Sequence, residues 1–314
     1  MKMKKMMLFL GLLAVTFVFS NAQPVQGTNP RKIISDENQI YMRPQWSPDG
    51  TRIAFTSEKN RGIYLSNAKG KDIIKITDDS EAGFGFSWSA DSKTILGRPV
   101  VVENGQRFHQ IKTYDTETME AKTIVGNTRE LQGLPTWSNN GAEIAFMRNN
   151  IVEVRSSGKI QFKSALKETP RFIAFGNTLK IVAESSKPIE FERFKDRYIF
   201  NIKNSPNGEK VVFQVNGMGM YICNADGSGL KSLGFAEQAS WMPDSRYVVT
   251  SKVTDNGIAI TSGEIVLIDT ETGTAFSLLA DSGYTALNPS VSPDGKSVVF
   301  ENVKDGAIYL MPLK

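Results

Sequence analysis

The sequence predicts an all-β chain, specifically a β-propeller of four-stranded antiparallel blades. Three observations carry the prediction. One turn-and-strand signature recurs along almost the whole chain, its copies fall about 41 residues apart, and the two ends hold complementary fragments of a single blade. Periodicity of this length marks stacked supersecondary units, and four short strands with their turns need about 40 residues.

The signature is an apolar or aromatic residue, a tight polar turn and an apolar strand. It reads Trp46-Ser-Pro-Asp-Gly50 before Arg52-Ile-Ala-Phe55, Trp88-Ser-Ala-Asp-Ser92 before Lys93-Thr-Ile-Leu96, and Trp137-Ser-Asn-Asn-Gly141 before Glu143-Ile-Ala-Phe146. Later copies are Asn204-Ser-Pro-Asn-Gly208, Trp241-Met-Pro-Asp-Ser245 and Val291-Ser-Pro-Asp-Gly295. Proline fixes φ in such a turn, Asp or Asn accepts local backbone hydrogen bonds, and glycine takes the φ that other residues resist. The flanking runs alternate or are wholly apolar, as half-buried and buried strands do.

The marker positions are separated by 42, 49, 67, 37 and 50 residues. The long gap contains Phe172-Ile-Ala-Phe175, Gly176-Asn177 and Leu179-Lys-Ile-Val182, a worn copy with Ala174 in the marker position. Counting it gives seven blades. Six blades with a long insertion is the competing count, because the 30-residue unit that results lacks room for its outer strand. At the C-terminus the last repeat stops after Ile308-Tyr-Leu-Met311, its third strand, while Arg31-Lys-Ile-Ile34 stands alone before the first marker. The N-terminal strand is therefore expected to complete the C-terminal blade and close the ring, removing two exposed edges.

Residues 1–22 have the layout of a cleaved secretory signal: Lys2, Lys4 and Lys5, an apolar run from Met6 to about Phe19, then Ser20-Asn21-Ala22. The run is short for a bilayer span, although a retained anchor is the alternative reading. A periplasmic or secreted single domain over 23–314 is the expectation. The formal charge of +4 falls to +1 once those three lysines are set aside, which gives no electrostatic reason to expect nucleic acid. Cys223 is the only cysteine, so no intramolecular disulfide forms, and its apolar run marks it as a small core residue.

These repeats resemble the TolB-type, WD-repeat-like propeller family, on Trp46-Ser-Pro-Asp-Gly50 with Ile53-Ala-Phe55 and on Tyr221-Ile-Cys-Asn-Ala-Asp-Gly-Ser-Gly229. The likeness covers nearly all of 31–314 and speaks to fold more than to function. It implies an exported propeller that meets other envelope molecules. TolB itself carries a further N-terminal α/β domain, for which the roughly eight residues between Gln23 and the first strand leave no room.

Catalytic signals are few. His109 is the only histidine, which rules out a multi-histidine metal centre within one chain and counts against the oligogalacturonate lyase type of propeller. No Gly-x-Ser-x-Gly elbow occurs, and no cofactor or metal site is expected. Asp49, Asp91, Asp244 and Asp294 share the marker turn, where capping explains them; belonging to different blades, they are expected to lie far apart. Asp78-Asp79 reads as a solvated loop with a cation site as the alternative, and the four tryptophans read as packing between blades rather than a sugar-stacking set.

Ligand-binding candidates follow from topology, because residues just before each marker approach the central channel. They are Arg43, Phe84, Thr136, Arg171 and Gln238, with Phe86, Phe108 and the charged aromatic stretch from Glu190 to Tyr198 as less regular aromatics. The functional expectation is an exported, non-catalytic scaffold that binds a protein partner or an envelope glycan. A polysaccharide-acting lyase or hydrolase using carboxylates at the channel mouth is the alternative.

Overall fold

The computed structural model describes residues 24–159, 172–181, 188–279 and 283–314. The expected signal segment, 1–22, lies outside them. Seven antiparallel sheets form the blades of a ring, so the seven-blade count holds. The first blade runs Tyr41–Trp46, Arg52–Ser57, Ile63–Asn67 and Ile74–Thr77 from the axis outward. The fifth (Ile199–Asn204, Lys210–Val215, Gly219–Asn224, Lys231–Gly234) and the sixth (Glu237–Trp241, Tyr247–Asp255, Ile260–Asp269, Ala275–Leu279) repeat that order. The second blade, Ser87–Trp88, Thr94–Gly97, Gln106–Asp115 and Ala121–Thr128, has an extra arm, Val100–Glu103, on its third strand. Among the described residues the third and fourth blades show three strands each. The fourth opens on Phe172–Phe175, the worn copy, with Ala174 opposite Leu179. No helix among the described residues is long and apolar enough to cross a membrane.

Ring closure is built from both ends of the chain. Arg31–Ile34 pairs antiparallel with Ala307–Pro312 and so becomes the outer strand of the seventh blade, whose other strands are Ala286–Val291 and Ser297–Asn302. The seam extends beyond that strand: Gln26 and Lys314 exchange backbone hydrogen bonds at 2.8 and 2.9 Å, and Thr28 N–H donates to Pro312 O at 2.9 Å. A side chain at Gly27 would collide with Leu278 O, so only glycine lets the N-terminal segment lie this close. Ile34 is fully buried in a cluster with Tyr41, Phe55, Ile308 and Leu310, which welds the last blade to the first.

The marker turn works as its chemistry requires, with one addition. In the first blade Asp49 Oδ1 accepts from Ser47 Oγ (2.6 Å) and Thr51 N–H (3.0 Å), while Ser47 Oγ accepts from Arg52 N–H (3.0 Å). Ser89 with Asp91, Ser205 with Asn207, and Ser292 with Asp294 repeat the pair. Burial opposes ionisation of Asp49, but the Ser47 and Thr51 hydrogen bonds outweigh it and hold the carboxyl below its usual value.

The turns do not lie far apart, contrary to the expectation from sequence. Asp49 N–H donates to Ser92 Oγ of the next blade, Asn207 N–H to Ser245 Oγ, and Gly295 faces the Pro243 ring. Each blade is narrow at the axis end, so neighbouring turns touch. Their carboxylates are nonetheless engaged in capping, and no cluster of three His, Cys, Asp or Glu suited to a metal occurs among the described residues.

Three of the four tryptophans bind blade to blade through their indole N–H; that of Trp46 has no partner among the described residues. Trp88 Nε1 donates to Gln45 O, Trp137 Nε1 to Ser87 O, and Trp241 Nε1 to Lys203 O, in each case the residue just before the preceding blade's marker. Within blades, cross-strand stacks of Phe55 on Tyr64, Phe213 on Tyr221 and Phe300 on Tyr309 recur at centroid separations of 5.6, 6.3 and 5.7 Å. Cys223 sits in the fifth blade's core, where burial pushes its thiol up to about 12.

Closure by the N-terminal strand makes Ile34 a test position. Ile34→Ala is expected to cost about 2–5 kcal/mol in denaturant unfolding, the usual range for a buried Ile, whereas Arg31→Ala on the solvent side of the same strand should change little. Equal effects of the two would mean that the strand adds nothing to closure.

Candidate binding site at the channel mouth

The innermost strands contact one another around the ring: Tyr41–Trp46 touches Ala286–Val291, which touches Glu237–Trp241, and so on through Ile199–Asn204, Phe172–Phe175 and Leu131–Ser138. They share a local device. Three residues before the marker the chain enters the left-handed region, at Arg43 (φ 55°), Gly85 (67°), Asn201 (49°), Gln238 (58°) and Asn288 (50°). In the first, fifth, sixth and seventh blades the pairing register shifts across this position, the signature of a β-bulge. Glycine and asparagine tolerate this backbone readily; arginine does not.

At two of these bulges the backbone N–H is met by a buried side chain ten residues after the preceding blade's marker. Gln214 Oε1 accepts from Gln238 N–H (3.2 Å) and from Asn201 Nδ2 of its own blade (2.5 Å). Glu301 Oε2 accepts from Arg43 N–H (2.5 Å), and its carboxyl also takes a hydrogen bond from the Asn288 side chain. Arg98 holds the same repeat position in the second blade and acts as a donor instead, sending Nη1 to Gly133 O at the third blade's bulge (2.8 Å).

Phe84 is placed by its neighbours. A side chain at Gly83 would collide with Thr56 of the first blade, and one at Gly85 with Leu134 of the third, so the two glycines let the connection press between blades. The Phe84 ring, 38% exposed, then carries two guanidiniums: Arg43 Cζ lies 5.5 Å from its centroid and Arg98 Cζ 5.9 Å. Arg107 pairs with Glu81 at 2.5 Å nearby. Burial first, then the charges of Arg98 and Arg107, lower the His109 pKa against the opposing pull of Glu81, and His109 Nδ1 is buried without a partner. The neutral imidazole and the paired acids leave the mouth cationic here.

Of the residues expected from sequence, Arg43 and Phe84 are brought together. Thr136 lies on the third blade's innermost strand with its hydroxyl near Trp137 O, and Gln238 is the sixth blade's bulge residue; neither joins the pair. Arg171 lies outside the described residues. Phe86 is core, and Phe191 and Phe194, from the stretch that breaks the repeat, pack on Phe213 and are core too. The Asp78-Asp79 pair is no cation site: Asp78 holds Arg61 and Lys75, and Asp79 holds Lys112 (2.9 Å) and the Tyr114 hydroxyl (2.8 Å). Sequence reading passed over Arg98 and Glu301, whose signal was their shared offset of ten residues from a marker.

Glu301 yields a pH prediction. Burial raises its carboxyl above the usual carboxylate range, against the Arg43 N–H, the Asn288 side chain and the Arg43 charge. The folded chain therefore holds this proton more tightly than the unfolded chain. Its stabilising share is greatest at acid pH and falls as pH rises from the ordinary glutamate value, about 4.3, through the raised one. Glu301→Gln copies the fifth blade's Gln214. It is expected to raise the melting temperature by about 2–4 °C at pH 8, the equivalent of ~1 kcal/mol, with no gain at pH 4. A gain equal at both pH values would refute the assignment.

No protein-family model matches the sequence, and no curated protein matches it. Among solved structures the chain is similar to an oligogalacturonate lyase from Vibrio parahaemolyticus (TM-score 0.56, 16% identity, covering 92% of this chain and 97% of that one). It is also similar to a putative TolB from Agrobacterium tumefaciens (0.55, 16%, 91% and 96%). A third is the Cps50 (Swd1) β-propeller domain from Myceliophteria thermophila (0.62, 9%, 90% and 99%). At these identities the likeness concerns the fold, and the chain is a seven-bladed β-propeller whose structural neighbours are TolB-like and WD40 propellers.

Proposed function

We propose that the protein is an exported, non-catalytic β-propeller that docks a protein partner on the face bearing the Arg43–Phe84–Arg98 cluster. The supporting observation is the distribution of exposed large apolar side chains. Connections between blades and hairpins between second and third strands share one face; marker turns and hairpins between third and fourth strands share the other. Ile40, Phe84, Tyr198 and Phe235 (76% exposed) lie on the inter-blade connections, and Val102, Ile151, Ile258 (95%) and Val303 on or beside the second-to-third hairpins. The opposite face exposes Met119 and the Ile73–Ile74 pair. Single exposed apolar residues are ordinary, but a bias to one face of a symmetric ring is what a protein-docking surface produces. Export to the periplasm or beyond rests on the signal-like character of residues 1–22.

The test is capture from an envelope extract with the protein as bait. A partner should be recovered by the wild type and by Met119→Glu, and lost at least tenfold by Phe235→Glu and Ile258→Glu, all at unchanged melting temperature. Equal capture by all four forms, or no capture together with turnover of a glycan panel, would overturn the proposal.

A further inference from the structure

We propose that Arg43, Phe84 and Arg98 form a carboxylate-binding site that receives an acidic peptide segment of the docked partner; this rests on the reading of that face as a docking surface. The argument starts from Arg43. Its backbone is left-handed at a repeat position filled by Asn in the fifth and seventh blades, by Gly in the second and by Gln in the sixth. Arginine is disfavoured in that conformation. The fold uses its backbone N–H, held by Glu301, and its charge, which acts on the buried Glu301 carboxyl, but among the described residues its guanidinium makes no hydrogen bond or ion pair. A residue that costs backbone stability and whose side-chain N–H groups the fold leaves without acceptors points to a use outside the fold.

Arg98 is similarly incomplete. Nη1 reaches Gly133 O, while Nε is buried without a partner. Other half-buried cations of this protein are engaged by carboxylates, as Lys112 is by Asp79, Lys159 by Asp91 and Arg148 by Glu153, or by two backbone carbonyls, as Arg52 and Lys231 are. Arg43 and Arg98 share one ring, and among the described residues their two guanidiniums together make a single hydrogen bond. Both guanidiniums lie over the Phe84 ring, and their N–H groups not used within the fold can donate to the two oxygens of a carboxylate.

The same stacking decides between ligands. A ring that carries two cations is a poor platform for a sugar, which needs a free aromatic face. The guanidiniums also lie no farther apart than the sum of their separations from the shared ring. Side chains at alternate positions of an extended peptide fall on one side about 7 Å apart, within that reach. An acidic residue, any residue and a second acidic residue would therefore meet both arginines.

The test is a titration of the isotope-labelled protein, read from the arginine side-chain N–H resonances. The probes are an eight-residue Gly/Ser peptide with Glu at two alternate positions, its Gln counterpart, and trigalacturonate. The Glu peptide should shift the Arg43 and Arg98 signals with saturation. Binding should weaken at least tenfold in Arg43→Asn, which installs the residue other blades use and should melt no lower than wild type. Arg98→Lys, which keeps the charge and loses the fork, should weaken it too. Equal binding of the Glu and Gln peptides, unchanged affinity in Arg43→Asn, or tighter binding of trigalacturonate would overturn the proposal. A failed titration beside partner capture that Phe235→Glu abolishes removes this site alone; an intact titration without capture removes the docking reading alone.

Discussion

A ring of blades has no stable open form, because each blade buries its faces only against its neighbours and the first and last would each present an apolar face to water. The pairing of Arg31–Ile34 with Ala307–Pro312 is the constraint from which the rest follows. It satisfies an edge that would otherwise be free to recruit another chain. It also brings the innermost strands Ala286–Val291 and Tyr41–Trp46 together, so that Glu301 of the last blade can serve Arg43 of the first. The candidate site depends on this seam although no residue of Arg31–Ile34 belongs to it.

A second layer of coupling sits at the axis. Outer strands diverge, and inner strands converge until their backbones compete for space. The bulge resolves that crowding by turning one residue into the left-handed region in five blades among the described residues, and at two of them a polar side chain from the blade before secures its N–H. Gln214 does this with an amide and Glu301 with a carboxyl that burial favours in its neutral form, while Arg98 sends a donor to a carbonyl. The tryptophan N–H bonds to the residue before the preceding marker tie the same strands a second time. The channel lining is thus fixed by hydrogen bonds between blades, and a functional side chain placed there inherits a rigid position.

Much of this architecture could be read from the residues. The Trp-Ser-Pro-Asp-Gly turn, the spacing of its copies and the stranded Arg31-Lys-Ile-Ile34 are local patterns whose meaning does not depend on distant contacts, and they led to seven closed blades. Even the eroded copy at Phe172–Phe175 kept enough of its apolar run to be counted. What failed was the inference that marker turns stand apart, because the narrowing of a blade toward its axis is a property of the ring and not of any one repeat. The site was half legible. Topology pointed to Arg43 and to Phe84, but Arg98 lies just past the end of a second strand, where an isolated repeat gives it no channel to face. Only the ring brings blade two's second strand beside blade one's bulge.

The comparison among repeats then separates what the fold needs from what it tolerates. Where the bulge position recurs, in five blades among the described residues, those that serve the backbone alone converge on small or amide side chains, as Gly85, Asn201, Gln238 and Asn288 do. A long cation at Arg43 departs from that solution at an energetic cost, in the blade that packs against the closing one. Arg98 departs in the same direction, replacing an acceptor by a donor with hydrogen-bonding capacity to spare. Two such departures in adjacent blades, converging on one phenyl ring, concentrate positive charge at a single sector of an otherwise pseudo-symmetric mouth. Symmetry makes the scaffold; the break in symmetry gives it a direction from which a ligand can be recognised.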